Sequence, residues 1–136
     1  MLSPEPIDAL AREAIDCGFR LHRDLGPGLL ESAYEALMFE SLRRRGMSVA
    51  RQVMIPLCHD GIVIDAAFRA DLIVEDTLLI EVKSVERSAP VHGKQVLTYL
   101  RLANLPLGLL MNFGMPTFKD GVRRIANGMP EAPLKG

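Results

Sequence analysis

The sequence predicts an α/β domain: a mixed central sheet flanked by helices, in the element order α-α-β-β-β-α-β. Three observations carry this. Two segments before Gly46 repeat apolar residues at helical spacing. From about Met47 to Lys83 the apolar period shortens to two, with short polar turns between runs. A third helical segment then leads into a compact apolar run, the pattern of a right-handed crossover to a parallel strand. The chain has 136 residues, enough for one domain around a single core.

The first helix is expected over about residues 4–25. Ile7, Leu10, Ala11, Ala14, Ile15, Gly18, Leu21 and Leu25 share one side of it. Ser3 can cap it, and Pro4 stands in the first turn, where a missing N–H does no harm. Gly26-Pro27-Gly28 stops it. The second helix runs from about Leu30 to Arg45, with Leu30, Ala33, Tyr34, Leu37, Met38 and Leu42 as its stripe. Glu31 in the first turn and Arg43, Arg44 and Arg45 in the last both oppose the helix dipole, the arginines as a solvated end. Gly46 closes the helix.

Met47, Val49, Val53, Ile55 and Leu57 alternate, with Arg51 breaking the apolar face and Pro56 marking an edge or strand end. His59-Asp60-Gly61 reads as a hairpin turn. Ile62, Ile64, Ala66 and Phe68 alternate again and lead into Asp71. After the turn Glu75-Asp76-Thr77, the run Leu78 to Lys83 is apolar on both faces except at its end, which places it centrally in the sheet. The third helix spans about Pro90 to Ala103. Leu107 to Phe113 is a fourth strand, parallel to the third. The core thus covers about residues 28–114 of a single domain over 1–136. The tail, 115–136, holds a short helix near Asp120 to Asn127 and a frayed end at Met129–Gly136.

Composition excludes several classes. A net charge of −1 and a pI of about 6.3 do not suit a protein that grips nucleic acid by bulk electrostatics. Positive charge is local, at Arg43–Arg45 and at Lys119, Arg123 and Arg124. No apolar run reaches the roughly 18 residues of a membrane span. The start carries acids and prolines where a signal peptide needs basic and then apolar residues. A soluble cytoplasmic chain with no membrane partner is expected. Cys17 and Cys58 lack metal-type spacing and read as free buried thiols. His22 and His59 are too isolated for a zinc site, and His92, one helical turn before Gln95, reads as a surface or capping residue, with a place on the cleft wall as the alternative.

The chemistry concentrates in DLIVEDTLLIEVKS, Asp71 to Ser84. Glu81 interrupts a buried strand, and Lys83, two residues on, shares its face. The short turn brings Asp71 beside Glu81 on the neighbouring strand. Two carboxylates held close repel, and one tends to protonate. Two readings fit: a cross-strand salt bridge at the sheet margin, or a divalent cation, Mg²⁺ or Mn²⁺, on hard oxygen ligands. In the second, Lys83 orients a metal-bound water and binds phosphate. Asp65, six residues before Asp71, shares that face if the strand is regular, and either joins the site or, the reading preferred here, faces solvent opposite a cation.

These residues resemble the signature of the PD-(D/E)XK nuclease superfamily, with Asp71 as its aspartate and Glu81-Val82-Lys83 as its E-x-K. Gln95-Val96-Leu97-Thr98-Tyr99 is similar to the Q-x-x-x-Y signature of one branch, and its ends lie one helical turn apart. Gly28-Leu29-Leu30-Glu31-Ser32-Ala33-Tyr34 fits G-x-x-E-x-x-Y, which names the GxxExxY family within it. The likeness extends over about Ile7 to Ile125.

The resemblance implies a restriction-endonuclease-like α-β-β-β-α-β core with an extra N-terminal helix. It implies a metal-dependent phosphodiesterase acting on DNA, less so RNA. Asp71, Glu81, the Val82 carbonyl and Glu31 would hold Mg²⁺ or Mn²⁺. Lys83, Glu81, Asp71 and Gln95 would serve catalysis, and Tyr99, Lys94 and Ser84 would contact substrate. Tyr34 reads as a packing and hydrogen-bonding residue. The alternative is a catalytically silent module of this fold for nucleic-acid or protein interaction. A chain this small, with no basic arm, would complete its cleft as a homodimer or with a protein partner.

Overall fold

The computed structural model describes residues 4–128. The Ser3 cap and the Met129–Gly136 end lie outside the described residues. Helix α1 spans Pro4–Leu25 and α2 Glu31–Arg44. Strands β1 (Val49–His59), β2 (Ile62–Val74) and β3 (Leu78–Lys83) follow, then α3 (Pro90–Ala103), β4 (Leu107–Asn112), α4 (Phe118–Gly121) and β5 (Val122–Ala126). The five strands lie in the order β1-β2-β3-β4-β5. Pairing is antiparallel except between β3 and β4, which the α3 crossover makes parallel. No described helix is long and apolar enough to cross a membrane.

The sheet separates two apolar layers. One face, including Leu72, Leu78, Ile80, Leu107 and Leu109, packs beneath α1 and α2 through Ala11, Ala14, Tyr34, Met38 and Leu42. The opposite face, including Ile73, Leu79 and Leu110, packs on Val96 and Leu100 of α3. Every residue of β4 is buried, as a strand covered on both faces requires. Gly108 explains how close α3 comes. A Cβ there would stand 2.8 Å from Val96 Cγ1.

Three expectations change. Residues 122–126 form a strand, not the helix expected near Asp120 to Asn127. The apolar edge of β4 needs a partner, and the alternation of β5 supplies one. Val122 packs toward the α1 layer and Ile125 toward the α3 layer, while Arg124 pairs with Asp8 and Arg123 lies against Gly93 of α3. Cys58 is exposed, because β1 and β2 run past the rest of the sheet there; only Cys17 is a buried thiol. Arg45 is not part of a solvated helix end. It bonds Glu13 and Asp16 of α1, each at 2.9 Å, and ties the two helices together.

Candidate active site

The site lies where β2 and β3 part. Their ladder runs only from Val74↔Leu78 to Leu72↔Ile80. Beyond it β3 continues against β4 as far as Lys83↔Asn112, while β2 stays with β1. Asp71 and Glu81 are the next residues on the two sides of this fork. The Val82 N–H, released from the β2 ladder, donates to Asp71 Oδ2 at 2.8 Å.

Asp71 occupies a turn-over in the sheet. Arg51 and Leu72 face the α2 layer, whereas their second neighbours Val53 and Ala70 face α3. Residues two apart on a regular strand share a face, so both strands turn over between these pairs. The register skips Gln52 and Asp71 at this place, and Gln52 has a φ of 54°. Asp71 therefore stands between the layers, with its carboxylate in the fork.

Burial pushes the Asp71 carboxyl up to about 6; the Val82 N–H opposes this, and the negative charges of Glu35 and Glu31 add to it. Glu81 is buried, and burial followed by the charge of Asp71 pushes it up to about 8, with Lys83 acting the other way. Glu81 Oε1 is buried with no hydrogen-bond partner among the described residues. A salt bridge at the sheet margin would have filled that oxygen with a lysine ammonium. A cation between the carboxylates would both satisfy it and remove the repulsion. The residues present thus fit a hard divalent ion. No three His, Cys, Asp or Glu side chains among the described residues converge into a ready-made cage. That suits Mg²⁺, which is commonly held by one or two carboxylates, with water and substrate phosphate completing its shell.

The other expected residues are placed unequally. Glu31 is exposed in the first turn of α2 and lines an open cleft of about 790 Å³ with Gly28, Ser84, Glu86 and Gly114. Its charge reaches both Asp71 and Glu81. Lys83 is half-buried beside Glu81. Gln95 is exposed on α3. Tyr99 is half-buried, stacked on Phe68 of β2 at 3.8 Å between ring centres; burial, then the charges of Glu81 and Asp71, raise its phenol. Ser84 Oγ donates to Leu29 O at 2.6 Å, so its proton serves the loop before α2. Lys94, the residue before Gln95, is likewise exposed on α3. Asp65 is exposed within the β1–β2 register shift, between the pairs Leu57↔Ile64 and Ile55↔Phe68, and stands apart from Asp71.

Two supporting groups complete the frame. Tyr34 is fully buried on Phe113, donates to Gly26 O and accepts from the Leu29 N–H. It fixes the loop that delivers Glu31. Asn112, buried beside Lys83, accepts from the N–H groups of Val85 and Gly114, each at 3.0 Å, and donates to Ser88 Oγ. It holds the loop after β3. Sequence reasoning missed Glu35, which is buried on α2 and accepts from Arg51 Nε at 2.8 Å and Gln52 Nε2 at 3.0 Å. The signal was available: Arg51 breaks the apolar face of β1, and a cation set in that face calls for an acidic partner.

A family model described as the PD-(D/E)XK nuclease superfamily matches residues 8–125. The chain belongs to the PD-(D/E)XK nuclease superfamily. No curated protein and no solved structure matches it. The matched span reaches into β5, ending one residue before the strand does. Membership carries a nuclease-like function, nucleic acid as partner and divalent metal ions as the general cofactor of the superfamily.

Proposed function

We propose that the protein is a Mg²⁺- or Mn²⁺-dependent phosphodiesterase that hydrolyses DNA, with RNA as the lesser candidate, and that it belongs to the GxxExxY branch of its superfamily. One observation carries this reading. The half-buried Asp71 and the buried Glu81 meet at the β2–β3 fork with their carboxyls pushed up to about 6 and about 8, and one oxygen of the pair has no partner among the described residues.

When bound, the ion lowers the pKa of its water and stabilises charge on the phosphate oxygens. Asp71, Glu81 and the Val82 carbonyl would hold it, with Glu31 on the cleft wall as the additional acid. Lys83 holds a phosphate oxygen and orients the attacking water. Gln95 aligns that water from α3. Tyr99 borders the site, and Ser84 acts by holding the loop rather than by binding phosphate. The working location is cytoplasmic, and a second copy or a partner protein extends the cleft.

The second reading is a catalytically silent module of the same fold. The acidic lining of the open cleft, Glu31 and Glu86, favours it, since it adds no attraction for phosphate. Incubation with linear, circular, single-stranded and branched DNA in Mg²⁺, Mn²⁺ or EDTA separates the two. Metal-dependent cleavage that disappears in Asp71→Asn and Lys83→Ala supports the enzyme. Cleavage surviving both substitutions excludes this site, and metal binding without cleavage of any substrate selects the module.

A further inference from the structure

Glu35 stands out among the acids outside the signature. It is 5% exposed, and burying a carboxylate costs heavily unless it is paired. Both of its bonds fall on Oε2, from Arg51 and Gln52, adjacent residues of β1. These two residues flank the place where β1 turns over. Gln52 takes a positive φ that a non-glycine residue adopts only when something holds it. The residue it faces across the skipped register position is Asp71. The chain of contacts therefore runs from α2 through the Glu35 carboxylate to the β1 turn-over, across to Asp71, and on to Val82. Of the two α2 acids whose charge reaches Asp71, Glu35 raises its carboxyl more than Glu31 does.

We infer that Glu35 is a positioning residue: through Arg51 and Gln52 it holds the paired turn-over of β1 and β2 that aims the Asp71 carboxylate into the fork. It touches neither substrate nor metal. This deepens the proposed function, because it rests on reading Asp71 as a metal ligand. Its geometric part, the Asp71–Val82 contact, is testable without metal.

Glu35→Gln keeps size and one acceptor but removes the charge. Gln52→Gly keeps the positive φ without strain and removes only the side-chain bond. Glu40→Gln, on an exposed acid 3.6 Å from Arg43, is the control. In metal-free protein the Val82 amide is followed by NMR shift and hydrogen exchange against the core amides of Leu79 and Leu110. Mn²⁺ affinity is then measured by calorimetry. The expected result is a shifted, faster-exchanging Val82 amide in both variants with the core amides unchanged. Mn²⁺ affinity should fall about tenfold in each, and the double variant should lose little more than the larger single loss, because the two act as one unit. A Val82 amide unaltered in both variants overturns the inference. So does a Val82 change matched by all the core amides, which would mark general loosening. If the unsubstituted protein binds no Mn²⁺, the metal reading fails, and the Val82 amide still decides the role of Glu35.

Discussion

The backbone N–H of Val82 donates to Asp71 Oδ2 at 2.8 Å across the opening between β2 and β3. This one contact joins the two motif segments where the ladder between them has ended. It leaves the second oxygen of Asp71 for other work beside Glu81. The electrostatics of the site follow from it, and so do the tests below.

Stability of the metal-free protein should fall as pH rises. Burial holds Asp71 near 6 and Glu81 near 8, so the folded state keeps protons that the unfolded chain has released. Their contribution is complete below the unfolded value of roughly 4 and is lost as pH climbs through the folded values. For Glu81 the loss is on the order of a few kcal/mol. Thermal unfolding in EDTA between pH 5 and pH 9 should show the decline, and Glu81→Gln should flatten it above pH 6.

Mg²⁺ should reverse that decline. The ion competes with the same protons, so its affinity rises with pH, and it stabilises the folded state by mass action. The Tm increase on adding Mg²⁺ should be larger at pH 8.5 than at pH 6 and absent in Asp71→Asn.

Tyr34→Phe should cost about 1–3 kcal/mol, the range for leaving buried polar groups unpaired. Gly26 O loses its donor and Leu29 N–H its acceptor, while the ring keeps its stack on Phe113. Denaturant unfolding measures the cost. Hydrogen exchange should show the loosening confined to the loop that delivers Glu31.

Asn112→Ala should release the loop after β3. Two N–H groups lose their acceptor, and Gly114 is packed so tightly on Val85 that a Cβ there would lie 2.4 Å from Val85 O. A loss of about 1–3 kcal/mol is expected. Faster exchange at Val85 and Gly114, with β4 interior amides unchanged, would identify its source.

The sequence made most of the sheet legible because its signals were periodic and strong. Pro90 and Ala103 bound α3 as expected, and β3 and β4, apolar apart from Glu81, Lys83 and Asn112, are the buried parallel pair. It hid β5, where Arg123 and Arg124 interrupt a short apolar pattern and only the open edge of β4 makes a strand favourable. The E-x-K spacing revealed Glu81 and Lys83. It could not reveal the turn-over at Gln52 and Asp71, because that depends on a side-chain bond from α2. Glu35 was masked by Tyr34 and Met38, whose apolar spacing explained the helix without it.

The most direct test of the account is a Mn²⁺ titration at pH 8.5, followed by calorimetry, of the unsubstituted protein, Asp71→Asn and Glu81→Gln. The account predicts one site, with binding abolished or reduced at least about tenfold in each variant and proton release on binding, because Glu81 still holds its proton in part of the molecules at that pH. Equal affinity in all three proteins, or no binding to the unsubstituted chain, would contradict it.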